Sequence, residues 1–243
     1  MARRKSLAFL DVGQGDCFVA DTKSGAIIFD GGSSSEDQVG RYRILPYMKY
    51  LGYQKIQIAV ISHMDIDHYS GIKELLEMGK IKYLGLPEIP KDETMKKIIG
   101  IAKKRGTTIF YLSRGRQITT KDGSLKVLHP QKNSRMEKNA ASLVMQGKIL
   151  GYRVLLTGDV EKEGEEEQLS EELERADILK VAHHGSKNST SNEFLQKVQP
   201  KQTVISCGKQ NRYGHPHLET IHRLQTYHTK IYRTDRSGAI IFF

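Results

Sequence analysis

The apolar run Ile56-Gln57-Ile58-Ala59-Val60-Ile61 leads straight into Ser62-His63-Met64-Asp65-Ile66-Asp67-His68. Two imidazoles and two carboxylates therefore fall within six residues at the end of a strand-like segment. The plain alternative is a polar loop whose His and Asp side chains only hydrogen-bond one another. Burying such a set without a partner leaves charges uncompensated, which favours a bound cation. His and Asp suit Zn²⁺, and the carboxylates also suit Mn²⁺. A chain built this way must bring a strand end to a point where other ligands meet it.

The same arrangement recurs. Ile27-Ile28-Phe29 ends in Asp30-Gly31-Gly32, and Val154-Leu155-Leu156-Thr157 ends in Gly158-Asp159. Ile178-Leu179-Lys180-Val181-Ala182 ends in His183-His184-Gly185-Ser186. Each is weak alone, because Asp-Gly after a strand is ordinary turn chemistry. Together they place carboxylates and imidazoles at one end of several strands.

Strands are expected at 6–12, 17–21 and 26–30, the last two joined by a turn at 22–25. A helix over 37–51 contains Pro46 as a kink or a late first turn. The strand 56–61 is followed by a short helix through Ile72, Leu75 and Leu76. A strand at 81–86 precedes an amphipathic helix at 93–104 that Gly106 ends. In the second half, 142–146 and 152–157 form a hairpin, and the acidic stretch 161–175 a solvated helix. Strands at 178–182 and 203–206 alternate with helices at 193–198 and 217–227, and 230–234 with 239–243 make a final hairpin. Ser24-Gly25-Ala26-Ile27-Ile28-Phe29 returns as Ser237-Gly238-Ala239-Ile240-Ile241-Phe242. The echo is either a coincidence of two hairpins or a trace of two related halves. Two β-rich halves, each followed by helices, predict two packed sheets with helices on both outer faces. We read residues 1–243 as a single domain.

Nothing in the chain approaches the run of about 18 apolar residues that marks a membrane span. The basic start, Met1-Ala2-Arg3-Arg4-Lys5-Ser6, has no apolar region behind it and does not read as a signal peptide. Cys17 and Cys207 are too few for a disulfide framework and read as small buried hydrophobes. The net charge of +10 is uneven: residues 161–177 hold nine acids against two bases. The excess of Lys and Arg elsewhere favours a polyanion, either nucleic acid or an anionic membrane surface.

The chain resembles a metallo-β-lactamase superfamily domain. That family's HxHxDH motif is matched by His63-Met64-Asp65-Ile66-Asp67-His68, with Asp65 in place of the middle His. Within the superfamily it is most similar to the hydrolase-like domain of the ComEC-type DNA-uptake channels of competent bacteria. The similarity rests on Leu10-Asp11-Val12-Gly13-Gln14-Gly15-Asp16, Asp30-Gly31-Gly32, Leu155-Leu156-Thr157-Gly158-Asp159 and the Leu179 to Ser186 run. Asn211-Arg212-Tyr213-Gly214-His215-Pro216-His217 adds to them, in the expected order.

The resemblance implies an α/β (α+β) fold, a four-layer αββα sandwich, around two divalent ions, Zn or Mn. His63 and Asp65 would bind the first ion, Asp67 and His68 the second, and Asp159 would bridge them. His183 or His184 would complete the shell of the second ion, with His183 favoured. Asp30 would orient the cluster. The family's additional His has no clear counterpart: His129 reads as a loop residue, and Asn139 and Ser142 stand in the corresponding region. Asp67, His184 and His215 are expected at the reacting centre, and Ser186, Lys187 and His217 against substrate. Lys180, Lys187, Lys201, Lys209 and Arg212 are candidates for contacts to a nucleic-acid backbone, each individually read as a surface charge.

The implied activity is a phosphodiesterase or nuclease acting on DNA during uptake, with the membrane channel of a parent protein as a possible partner. The alternatives are a hydrolase of small esters such as phosphorylcholine esters, and a nucleic-acid-binding module with a degenerate site. As part of such a channel protein the domain would lie on the extracytoplasmic side; as a free-standing chain it would be cytoplasmic.

Overall fold

The structure, a computed structural model, describes residues 4–136, 138–169 and 173–243. Two seven-stranded sheets face each other. The first contains β1 (Leu7–Phe9), β2 (Phe18–Thr22), β3 (Gly25–Phe29), β4 (Ile56–Val60), β5 (Ile81–Pro87) and β6 (Thr108–Leu112). The second runs through β7 (Gln117–Thr120), β8 (Gly123–His129), β9 (Val144–Ile149), β10 (Tyr152–Leu156), β11 (Ile178–Lys180), β12 (Gln202–Ile205) and β13 (Lys230–Arg233). The chain then returns to the first sheet, where β14 (Ile240–Phe242) pairs with β1. In both sheets an antiparallel part gives way to a parallel part, starting at β3–β4 and at β10–β11.

Alternation sorts the side chains into layers, since successive strand residues point to opposite faces. Leu7, Phe9, Phe18, Ile27 and Phe29 turn inward and pack with Val127, Met145, Val154, Leu156 and Val204 between the sheets. Their neighbours Ala8, Val19 and Ile28 turn outward. They meet α1 (Leu45–Tyr50), α2 (Ile66–Glu77) and α3 (Glu93–Lys104) through Met48, Leu75, Leu76 and Ile98. On the other outer face α4 (Lys162–Leu169), α5 (Asn192–Val198) and α6 (Leu218–Thr226) lie along the second sheet. Phe194, Leu195 and Leu224 supply the apolar contacts there. The short α7 (Thr234–Ser237) links β13 to β14. This is the expected four-layer αββα sandwich. No helix among the described residues is long and apolar enough to cross a membrane.

Helix α3 has the predicted bounds because Asp92 caps it, accepting from the Met95 N–H at 2.7 Å, and Met95, Ile98 and Ala102 form its buried stripe. Pro46 lies in the first turn of α1, where a missing N–H costs little. A π-helical turn, Gly40–Ile44, leads into that helix.

Four expectations are corrected. Residues 230–234 and 239–243 do not form a hairpin: β13 and β14 are edge strands of different sheets, and α7 carries the chain between them. The Ser-Gly-Ala-Ile-Ile-Phe echo places β3 and β14 in the same sheet, so it does not relate the two halves. The acidic helix is not wholly solvated. Glu165 is 1% exposed and accepts from the backbone N–H groups of Thr190 and Ser191, while residues 170–172 of that stretch lie outside the described residues. His129 is no loop residue: it ends β8 fully buried, with Nε2 2.6 Å from Ala140 O and Nδ1 3.0 Å from Glu167.

Candidate metal centre

Four strand ends converge at one edge of the sandwich. The parallel register that sets Phe29 beside Val60 brings Asp30 level with Ile61, within side-chain reach of Ser62. Asp30 then accepts from the Ser62 N–H at 2.7 Å through one oxygen and faces His68 Nδ1 at 3.0 Å through the other. Asp65 opens α2, so Asp67 and His68 occupy its first turn. The loop before β2 is drawn in by close backbone contacts. A Cβ on Gly15 would lie 2.2 Å from Gly32 O and 2.7 Å from Asp67 O, so only glycine fits. The Asp16 N–H donates to Asp67 O at 3.1 Å, which fixes Asp16 at the centre.

The second sheet supplies the other side. After β10, Gly158 turns with φ 52°, and the Asp159 N–H donates to Ser142 Oγ at 3.3 Å. After β11, His183 and His184 both adopt left-handed backbone, φ 47° and 51°. His184 Nδ1 faces Ser206 O at 2.9 Å. Opposite a carbonyl that nitrogen carries the hydrogen, leaving Nε2 for the cluster. Asp30 imposes the same choice on His68, whose Nε2 sits 3.1 Å from Asp159 Oδ2. His184 Nε2 lies 3.4 Å from Asp159 Oδ2 and 3.3 Å from Asp67 Oδ2.

One ligand atom each from Asp16, His68, Asp159 and His184 lies within 4.8 Å of the others, and all four residues are buried. Among the described residues, Asp16 Oδ1 and the Nε2 atoms of His63, His68 and His184 are buried without a hydrogen-bond partner, while Asp16 Oδ2 meets Lys180. Orphaned donors aimed at one point are what a cation would satisfy. The residues fit a divalent ion.

Electrostatics follow from this crowding. Burial would push the His68 imidazole down, but Asp159 and Asp30 hold it well above its ordinary value. His184 is raised against burial by Asp159, Asp16 and Asp67. For the carboxylates burial again works the other way and loses: His184 and His68 bring Asp67 to about 2, and with Lys180 they hold Asp159 well below its ordinary value.

The remaining predicted residues lie around this core. His63 packs against His68 with tilted rings, centroids 4.1 Å apart, and its Nε2 lies 3.7 Å from half-exposed Asp65. His183 stands farther from Asp159 than His184 does, at 3.9 Å, and faces Glu161 at 3.1 Å. His215 packs against both imidazoles at 5.4 and 6.1 Å. A cavity of about 260 Å³ opens over Asp67, Asp159, His183 and His184, with Gln14, Ile66, Arg212, Tyr213 and His215 also lining it. Ser186, Lys187 and His217 do not line it. Ser186 accepts from Asn188 N–H, and His217 Nδ1 accepts from Lys187 N–H, so they shape the turn behind the cluster. Asn139 and Lys187 face a larger groove of about 1110 Å³ that reaches the centre at Glu161.

Two central residues escaped the sequence reading. Asp16 receives no role from the resemblance, although it too follows a strand and a glycine loop. Lys180 was read as a surface charge; it is 4% exposed, contacts Asp16, donates to Gly158 O at 2.8 Å and lies 3.4 Å from Asp159. A lysine inside an apolar strand needs a buried partner, and that was its signal.

A model of the metallo-beta-lactamase superfamily matches residues 10–209. The chain belongs to that superfamily. Its members are generally metal-dependent hydrolases, in keeping with the donor set. The chain is 37% identical to the ComE operon protein 3 of Bacillus subtilis over 95% of its own length and 32% of the relative's. It is 30% identical to Competence protein ComA of Neisseria gonorrhoeae over 96% of its length and 31% of the relative's. It thus spans about a third of these relatives. Among solved structures the metallo-beta-lactamase fold protein YhfI of Bacillus subtilis aligns with TM-score 0.63 at 13% identity, covering 98% of this chain and 99% of that one. That likeness speaks to the fold alone.

Proposed function

We propose that this chain is a divalent-metal-dependent phosphodiesterase acting on DNA, in the service of DNA uptake. The observation that carries it is the mixed nitrogen and oxygen donor set of Asp16, His68, Asp159 and His184 beneath an open cavity. The competence relatives and the basic charge balance support the choice of DNA. In a parent of that kind the membrane channel would be the partner, and the domain would lie on the extracytoplasmic side.

Two ions, Zn or Mn, would be held by His63 and Asp65 on one side and by Asp67, His68 and His184 on the other. Asp159 and Asp16 would add carboxylate donors to the same set. When bound, such ions supply an activated water near neutral pH and neutralise charge on phosphoryl oxygens. The chain's own residues do the rest. Asp30 and Ser206 O hold His68 and His184 in the tautomers that free Nε2. Lys180 fixes the carboxylates of Asp16 and Asp159 from below. Burial and the neighbouring His184, His183 and His217 push His215 down to about 4. His215 therefore meets substrate as a neutral imidazole, suited to hydrogen-bond a phosphoryl oxygen, while Arg212 supplies positive charge at the rim.

The test is cleavage of single- and double-stranded DNA with added Mn²⁺ or Zn²⁺, comparing wild type with Asp159→Ala and His184→Ala. Metal-dependent cleavage lost in both variants is expected. Salt-sensitive binding without cleavage would make the chain a nucleic-acid-binding module, and hydrolysis of small diesters alone would make it an esterase.

A further inference from the structure

The mouth of the cavity carries a part-exposed aromatic ring. Tyr213 is 43% exposed and lines the same cavity as Asp67 and Asp159. Its ring stacks on His215 with centroids 5.7 Å apart and an interplanar angle of 22°. The guanidinium of exposed Arg212 lies over the ring, 4.9 Å from its centroid, and donates to the Tyr213 hydroxyl at 2.7 Å. The loop beneath is built to hold this pose. Asn211 donates to Gly208 O and His215 O and accepts from the His215 N–H, and Gln14 accepts from the Gly208 N–H. From the other half of the fold Ile66, 53% exposed, adds an apolar surface to the same rim.

An aromatic ring, an exposed guanidinium and an apolar rim next to a proposed phosphate-binding centre form the chemistry that grips an unpaired base. We propose that Tyr213, backed by His215, is a stacking platform for one unpaired nucleobase adjacent to the scissile phosphate. The base takes the face that Arg212 now covers, which frees the guanidinium for the phosphate. A base inside a duplex already has both faces stacked, so the platform selects single strands and frayed ends. This inference rests on the phosphodiesterase reading above and names the feature of DNA that the site recognises.

Two measurements test it, one of them independent of catalysis. In Mn²⁺, kcat/KM is measured for thymidine 5′-(p-nitrophenyl phosphate) and for methyl p-nitrophenyl phosphate. The preference for the base-bearing diester should fall about 5- to 100-fold in Tyr213→Ala and persist in Tyr213→Phe. A preference unmoved in Tyr213→Ala overturns the platform while leaving the phosphodiesterase intact. Absence of hydrolysis of both diesters and of DNA by the wild type sinks the phosphodiesterase reading instead. The platform is then judged by single-stranded oligonucleotides carrying 2-aminopurine, whose emission is unobscured in a chain with no tryptophan. Quenching by wild type and Tyr213→Phe, absent for Tyr213→Ala and for duplex, supports it; equal quenching by all three proteins overturns it.

Discussion

Lys180 and Asp16 form an ion pair beneath the ligand cluster, with each side chain only 5% exposed. Removing one partner of such a pair strands the other charge, at a cost of about 3–5 kcal/mol. Lys180→Met should therefore lose about that much stability in metal-free protein, and less with Mn²⁺ present, because an added cation compensates Asp16 and Asp159. Urea denaturation with EDTA and with Mn²⁺ measures both. Equal midpoints for wild type and variant in EDTA would show that the pair is dispensable.

Asp30 acts through His68. Its carboxylate holds Nδ1 at 3.0 Å, and its other oxygen takes the Ser62 N–H. Asp30→Ala frees the imidazole to turn, and metal affinity should fall about 10- to 100-fold. Competition against a chromophoric chelator reads this directly; an unchanged affinity would assign Asp30 to folding alone.

Protonation and metal compete for the same nitrogens. His68 and His184 have folded values raised above their ordinary 6.5, so their stabilisation is fully present below that pH and is lost as pH climbs through the raised values. Asp67, at about 2, and Asp159, well below 3.8, contribute above their ordinary range and lose that contribution as pH falls through the folded values. Metal-free protein should thus be most stable between about pH 4 and 6.5. Mn²⁺ takes the place of the imidazole protons, so its binding should strengthen, and the stability optimum move upward, as pH rises. Urea midpoints across the range settle it: a flat profile above pH 6.5 in EDTA would contradict the assignment.

Gly15 is the tightest backbone contact in the centre. In Gly15→Ala the new methyl would lie 2.2 Å from Gly32 O, so the Asp16 loop must retreat from α2. We expect a loss of about 2–4 kcal/mol together with weaker metal binding, since Asp16 moves with the loop. A variant as stable as wild type would mean that the three backbones can part without cost.

The strand ends were legible because each apolar run stops abruptly at a ligand-type residue, as at Ile61-Ser62-His63 and Leu156-Thr157-Gly158-Asp159. Helix α3 was legible for a local reason, its Asp92 cap and apolar stripe. Strands β6 and β7 were passed over because most of their residues are half-buried or exposed, so no clean alternation marks them. The partners of Lys180 and His129 lie far along the chain, at Asp16 in the other half of the fold and at Glu167 on α4, and no local pattern announces either pairing. The expected final hairpin failed for the opposite reason: neighbours in sequence were parted by the sheet each had to close.

The last strand has a consequence for synthesis. β14 seals the free edge of β1, joining Phe242 to Leu7 across almost the whole chain. As the protein leaves the ribosome, the half bearing His63 and His68 waits with an open edge until the half bearing Asp159 and His184 has emerged. The ligands of one centre therefore reach their final places together, only once both halves are available, and a nascent first half offers no finished site to a passing ion.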